Sequence, residues 1–276
     1  MASGARAARA ARASAGGAEG EQLCLPLSPS SFSGSAPLGA ERLGDPERAA
    51  WRRCPLVVGI DEAGRGPWAG PVVAAAVVFP PWESPPADLE GLNDSKQLSH
   101  EARAALLAPI ARHALAVGVA RVSAAEIDAL NILRATFVAM RGAARRALAR
   151  LERRAGVPPA LLSAPPLLLI DGNRLLPPAL LLEGLDAREA ARVARWSQEA
   201  LVKGDARSWS IAAASVVAKE ARDRLMTLED RAHPGYGFAQ HKGYGTPAHQ
   251  RALDALGPCA AHRLSYKPVA ARRPAR

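Results

Sequence analysis

Two adjacent carboxylates, Asp61 and Glu62, interrupt an apolar run that begins at Leu56, and Gly64-Arg65-Gly66 follows at once. Unpaired charge is excluded from strand interiors because its desolvation costs several kcal/mol. Two acids at the end of a buried strand therefore call for a compensating cation, most simply a bound metal. The glycine-flanked arginine can lay backbone N–H groups and a guanidinium against a phosphate. A second apolar run, Leu167–Ile170, ends in Asp171. Asp223 is a fourth candidate, because Ala212, Val216, Lys219 and Asp223 follow at spacings of four, three and four and so share one helix face. Four carboxylates with no His or Cys beside them make an all-oxygen donor set, which suits Mg²⁺ or Mn²⁺ rather than Zn²⁺. Two such cations about 3.5–4 Å apart can activate a water and stabilise the leaving oxygen of a phosphoryl displacement. Taken singly, Asp171 and Asp223 fit a turn cap or an arginine partner better than a ligand. Asp61-Glu62 fits neither easily.

The elements that must position these groups are legible in outline. Leu56–Ile60 and Pro71–Phe79 read as buried strands joined by a short Gly/Pro-rich turn, which implies antiparallel neighbours. Ser99 is an N-cap for a helix that Pro109 limits or kinks, and Ala114–Val122 is a further strand. Ser123 and Glu126 form a capping box ahead of one long amphipathic helix through Ile127, Leu130, Leu133, Phe137 and Met140. Asp205–Glu229 reads as a helix with a small-residue face that can approach a sheet closely. In open α/β sheets ligands collect beyond the carboxyl ends of strands, so the acids can converge on one crevice. The stretch 174–201 is Leu-, Pro- and Ala-rich, is compatible with a short helix and suggests no role. Residues 1–53 read as a disordered Ala/Arg/Ser/Gly-rich extension, and 54–276 as the folded domain, its C-terminal part helical over about 230–270.

Composition narrows the partners. Thirty-six Lys and Arg against 26 Asp and Glu give a net charge of +10, which favours a polyanion such as nucleic acid. Drift toward arginine explains the charge equally well when charge stands alone. Cys24, Cys54 and Cys259 are far apart, so neither a disulfide framework nor a zinc site is indicated, and a reducing cytoplasm fits. No apolar stretch reaches the roughly 20 residues that span a bilayer. Lys96 and Lys203, in polar loops, suit phosphate contact, although both fit solvated surface too. Tyr244, in a Gly-rich loop, is by itself an ordinary core or surface aromatic.

Val58-Gly-Ile-Asp-Glu-Ala-Gly-Arg-Gly-Pro-Trp-Ala-Gly-Pro71 resembles the signature of ribonuclease HII, the type 2 ribonuclease H. Leu92-Asn-Asp-Ser-Lys96, Glu126-Ile-Asp-Ala-Leu-Asn131, Ile170-Asp-Gly-Asn173, Val202-Lys-Gly-Asp205, Ala213–Lys219, Arg222-Asp223 and His241-Lys-Gly-Tyr-Gly-Thr246 resemble further blocks of that family, in family order, between about Pro55 and Val269. The resemblance implies a ribonuclease H-like α/β fold, with a mixed sheet flanked by helices and a helical C-terminal extension. It makes Asp61, Glu62, Asp171 and Asp223 the catalytic, metal-binding acids, with Mn²⁺ or Mg²⁺ as cofactor. Gly64, Arg65 and Gly66 then grip the ribonucleotide, Tyr244 stacks beside the ribose and senses its 2′-hydroxyl, and Lys96 meets phosphate.

The implied activity is endonucleolytic hydrolysis of RNA in RNA–DNA hybrids, and incision 5′ of single ribonucleotides in duplex DNA, leaving 3′-hydroxyl and 5′-phosphate ends. Those nucleic acids are the expected partners of a cytoplasmic monomer. Two departures from the family pattern are a longer N-terminal tail and a longer 174–201 stretch. The rivals are another nuclease of related fold (type 3 ribonuclease H, which resembles a Gly-Lys-Gly turn at Arg65; a transposase; a junction nuclease) and a non-catalytic basic nucleic-acid-binding protein.

Overall fold

A computed structural model of the chain describes residues 43–92 and 98–272. Its centre is a five-stranded mixed sheet in the order β3-β2-β1-β4-β5. The strands are β1 (Val57–Ala63), β2 (Val72–Val78), β3 (Ala116–Val122), β4 (Leu167–Asp171) and β5 (Ser197–Leu201). β1 pairs antiparallel with β2, as the short turn between them requires, and parallel with β4. Gly59 and Ile60 lie opposite Leu169 and Ile170 in that parallel ladder, so the acids that follow leave the same end of the sheet. β2 is buried along its whole length, because helices cover both faces of the sheet. β5 escapes the sequence reading: Ser-Gln-Glu-Ala-Leu carries no hydrophobic alternation, since this edge strand is half exposed and, among the described residues, pairs with β4 alone.

Between the strands and beyond them lie α1 (Asp45–Trp51), α2 (His100–His113), α3 (Ala124–Leu130), α4 (Ile132–Arg153), α5 (Pro159–Ser163), α6 (Pro178–Leu182), α7 (Ala187–Val193), α8 (Trp209–Ala232), α9 (Phe238–His241), α10 (Pro247–Leu256) and α11 (Lys267–Ala270). α4 covers one face, placing Phe137, Met140, Ala144 and Leu151 against Val58, Ile60, Val72 and Val122. α8 covers the other, with Ala212, Ala213, Val216 and Val217 on Ala75 and Val77. Small residues let it come very close: a Cβ at Gly59 would lie 2.3 Å from the Ser210 backbone. α8 consequently runs alongside β1 and delivers its side chains to the strand's carboxyl end.

Three boundaries differ from expectation. The long helix after Ser123 is two helices, because Asn131 takes φ +67° and its side-chain oxygen accepts from Arg134 N, capping α4 anew. α8 starts at Trp209 rather than Asp205, since the Ser208 hydroxyl accepts from Ile211 N and sets the N-terminus there. Residues 204–206 form a separate 3₁₀ turn. The extension expected to be disordered through residue 53 contains α1, whose Glu47 is fully buried and accepts from Trp209 N (2.6 Å) and Ser210 N (2.8 Å). A carboxylate from 162 residues upstream thus satisfies the orphan N–H groups that open α8. Residues 1–42 of the expected extension, and Lys96, lie outside the described residues.

Candidate active site

Three carboxylates converge where β1 and β4 end. One oxygen from each of Asp61, Asp171 and Asp205 lies within 4.8 Å of the others. β1 supplies Asp61, whose Oδ1 accepts from Glu62 N at 2.7 Å. β4 supplies Asp171, which accepts from Gly204 N at 2.7 Å. That bond ties the end of β4 to the 3₁₀ turn and so carries the neighbouring Asp205 into the crevice. Asp61 and Asp205 are buried, and Ser215 of α8 hydrogen-bonds Asp61 from behind. Burial pushes the Asp61 carboxyl well above its ordinary value, and the Glu62 and Asp171 carboxylates push it further. A divalent cation relieves such a deficit directly, and the all-oxygen set is the donor chemistry that hard cations take. Glu62, close enough to Asp61 to raise its pKa, is not part of the three-oxygen cluster, and its Oε1 lies 3.4 Å from the Arg65 guanidinium.

The structure does not bring Asp223 into this cluster. Its carboxylate is held by Lys219 Nζ at 2.6 Å and lies 3.7 Å from the Arg103 guanidinium. Asp223 is eight residues beyond Ser215, so at ~1.5 Å per residue it sits about 12 Å further down α8 than the residue touching Asp61. The shared-face argument from Ala212 to Asp223 is sound helix geometry, but that face meets the sheet near Asp61 and has left it by Asp223. There it lines a cavity with His100, Glu220 and Lys242. Asp205, absent from the candidates, occupies the place expected of Asp223. Reading Asp205 as the first residue of a helix hid it. The usable signal was Lys203-Gly204-Asp205 followed by Ser208, a turn ahead of an N-cap.

The Gly64-Arg65-Gly66 turn is braced from beneath by two buried arginines, to neither of which the sequence assigned a role. Gly64 takes φ +96°, and a Cβ there would fall 2.0 Å from Arg222 Nε. Arg222 donates to the carbonyls of Pro71 (3.0 Å), Ala69 (3.1 Å) and Lys242 (3.0 Å). Arg263 donates to those of Gly64 (2.6 Å), Arg65 (2.9 Å) and Gly70 (3.0 Å). Burial and the neighbouring Arg263 lower the Arg222 pKa to about 10, which still leaves it cationic. Two charges held by carbonyl dipoles therefore lie under the turn, and they make its outer surface attractive to phosphate. The Arg65 side chain remains half exposed above them, and Tyr244, 48 % exposed, lies beside Gly66.

Residues 58–269 match the family model for ribonuclease HII. The chain belongs to the ribonuclease HII family. It is 48 % identical to the ribonuclease HII of Syntrophotalea carbinolica, over 80 % of this chain and 88 % of that one. To the ribonuclease HII of Hyphomonas neptunium it is 47 % identical, over 79 % and 96 %. Among solved structures, the RNase HII in the PCNA:RNase HII complex from Archaeoglobus fulgidus shares the fold with a TM-score of 0.55 at 24 % identity, covering 77 % of this chain and 95 % of that one. Ribonuclease H2 from Pyrococcus horikoshii OT3 aligns with a TM-score of 0.51 at 23 % identity, over 78 % and 95 %. Membership in the ribonuclease HII family makes the protein a ribonuclease H, a metal-dependent endonuclease that cleaves the RNA strand of RNA–DNA hybrids. No described helix is long and apolar enough to cross a membrane.

Proposed function

We propose that this ribonuclease HII also incises duplex DNA 5′ of single embedded ribonucleotides, leaving 3′-hydroxyl and 5′-phosphate ends, and that Asp61, Glu62, Asp171 and Asp205 hold its catalytic Mg²⁺ or Mn²⁺. The observation that carries the reading is the convergence of Asp61, Asp171 and Asp205 beside the braced Gly64-Arg65-Gly66 turn. Two divalent cations in such a site supply the positive charge that favours attack of water at phosphorus and departure of the 3′ oxygen. The chain's own residues do the positioning. Gly204 N–H and Ser215 fix the carboxylates of Asp171 and Asp61. Backbone groups of the glycine turn approach the ribose, where a 2′-hydroxyl distinguishes RNA from DNA. Tyr244 presents a ring to the same sugar, and Arg65 and Lys96 meet phosphate. Asp223 holds Lys219 and Arg103 in place rather than metal. The enzyme works as a cytoplasmic monomer.

Asp205→Asn and Asp223→Asn test the site. With a duplex carrying one ribonucleotide, Asp205→Asn is expected to lower turnover by about 10³-fold or more, as loss of a metal ligand does. Asp223→Asn, which keeps an oxygen acceptor for Lys219 at this buried position, is expected to stay within about tenfold of the parent. An all-DNA twin and an EDTA control check ribonucleotide and metal dependence. Undiminished turnover by Asp205→Asn, or equal loss in both variants, overturns the assignment.

A further inference from the structure

Three histidines lie beneath the loop that carries Tyr244. His241 and His249 stack with ring centroids 4.4 Å apart, and His262 lies against both His249 and Phe238. His249 and His262 are buried. Their hydrogen bonds fix one proton arrangement. Cys259 N donates to His262 Nδ1 (3.0 Å), so that nitrogen carries no proton and Nε2 does. His262 Nε2–H then donates to His249 Nε2 (3.0 Å). His249 must carry its own proton on Nδ1, which donates to the Tyr244 carbonyl (2.9 Å). On the other side of the loop Gly243 N donates to His241 Nδ1 (3.2 Å), and His241 Nε2–H donates to the Tyr236 carbonyl (2.7 Å). His249 and His262 are thereby neutral, and each is confined to one tautomer.

The same loop is pinned from above. Trp68 N donates to the Gly243 carbonyl (2.8 Å), and the Trp68 ring packs so closely on Gly245 that a Cβ there would lie 2.2 Å away. The loop thus has little room to move unless the histidine chain opens. A second proton on His249 goes to Nε2 and sets N–H against N–H across the 3.0 Å central bond, whereas one on His262 goes to Nδ1 and meets the Cys259 N–H, also across 3.0 Å; either turns a bond of the chain into a repulsion. Burial lowers both pKa values, that of His262 to about 4, so the chain is neutral at physiological pH. The titratable groups around the pair are His233 at the end of α8, Tyr236, His241 and Cys259. The guanidiniums of Arg222 and Arg263 lie on the far side, bonded to Lys242, Ala69 and Gly70 carbonyls. Besides burial, the neighbouring His241 and His233 are the groups whose charge opposes protonation of the pair.

We propose that His262 and His249 are positioning residues for ribonucleotide recognition: the chain from Cys259 N–H through both rings to the Tyr244 carbonyl holds the Tyr244 ring in place, and its protonation in acid releases it. The proposal rests on the reading that Tyr244 meets the ribose.

Steady-state cleavage of a duplex with one ribonucleotide, by the full chain in saturating Mg²⁺, separates the two ideas. Tyr244→Ala is the control for the reading itself and is expected to raise KM about tenfold. At pH 8, His262→Phe removes the relay at nearly constant volume and is expected to raise KM about tenfold, with kcat within about twofold. His262→Gln places an amide donor near the lost Nε2–H without a titrating ring. Its KM is expected to stay within about threefold of the parent and to lack the rise that the parent shows below about pH 5. If Tyr244→Ala raises KM and a folded His262→Phe does not, the relay is wrong and the Tyr244 reading stands. If Tyr244→Ala leaves KM unchanged, the Tyr244 reading fails and the proposal with it. Should His262→Phe not fold, the comparison of parent with His262→Gln decides, and identical acid branches of KM overturn the proposal.

Discussion

Replacing Arg263 by methionine removes the guanidinium that ties the recognition turn to the C-terminal segment, while keeping most of the buried stem. Arg263 is fully buried, and its Nε and Nη atoms donate to the carbonyls of Gly70, Arg65 and Gly64. It also donates to Tyr266 Oη at 3.0 Å, and that hydroxyl in turn donates to the Arg65 carbonyl. Methionine leaves Arg65 O with the Tyr266 hydroxyl but deprives Gly64 O and Gly70 O of this donor. A buried carbonyl left unpaired costs about 1–3 kcal/mol, so the two together cost about 4 kcal/mol. An opposing effect exists, because burial without a bonded carboxylate is already costly for the cation and lowers its pKa. Carbonyl loss is expected to win, since three short bonds, one of 2.6 Å, already compensate the charge.

At about 2–4 °C per kcal/mol for a domain of this size, the melting temperature falls by roughly 8–16 °C. Thermal unfolding reads the first effect. Cleavage of single-ribonucleotide and continuous-hybrid duplexes below the transition reads the second, a kcat/KM about 10–100-fold lower as the turn loosens. Arg263→Lys, which keeps the charge but not the fork, should fall between the two. A methionine variant that melts within about 2 °C of the parent and cleaves both substrates normally refutes the reasoning.

Other perturbations test the remaining supports. Glu47→Ala strips the acceptor from Trp209 N and Ser210 N and should cost about 2–4 kcal/mol in urea unfolding, whereas Glu47→Gln, which keeps one acceptor, should cost about half as much. Asp61→Asn should abolish cleavage, yet raise metal-free stability by about 1–2 kcal/mol, because it removes a buried charge repelled by Glu62 and Asp171. The same variant should lose the melting shift that saturating Mg²⁺ or Mn²⁺ gives the parent, worth about 4 kcal/mol at 1,000 times Kd, as calorimetry with and without EDTA will show. Acid should weaken the fold through His262. Its folded pKa of about 4 lies below the unfolded 6.5, so its contribution is whole above pH 6.5 and is lost as pH falls toward 4. Glu47 and Asp61 act with the opposite sign, since burial raises them and protonation relieves the buried charge. Between pH 6.5 and 4 the parent should therefore lose about 3 kcal/mol more than His262→Gln in urea titrations, and equal losses would exclude the assigned neutral His262.

Much of the site was legible in the chain because its parts are local. An apolar run that ends in Asp61-Glu62, a second that ends in Asp171 and a glycine-flanked arginine each state their chemistry within ten residues. The antiparallel start of the sheet follows from a short turn, and the small-residue face of α8 follows from helical spacing. The family resemblance was legible for the same reason, since its blocks are contiguous.

What required the tertiary structure is whatever depends on distance between segments far apart in sequence. Asp205 rather than Asp223 joins the acid cluster because Ser208 sets the start of α8 and Gly204 N–H draws the preceding turn onto Asp171. Helical period fixes the face on which Asp223 lies, but not how far along that face the sheet extends. Arg222 entered the sequence reading only within the Arg222-Asp223 block and Arg263 not at all, and only the fold buries them against carbonyls that no pattern marks. α1, edge strand β5 and the histidine chain under Tyr244 are likewise held by partners remote in sequence. The sequence by itself determined which chemical groups are present and which strand ends carry them. The tertiary structure decided which groups meet, because a carboxylate binds metal or an arginine according to what stands within a few ångströms of it.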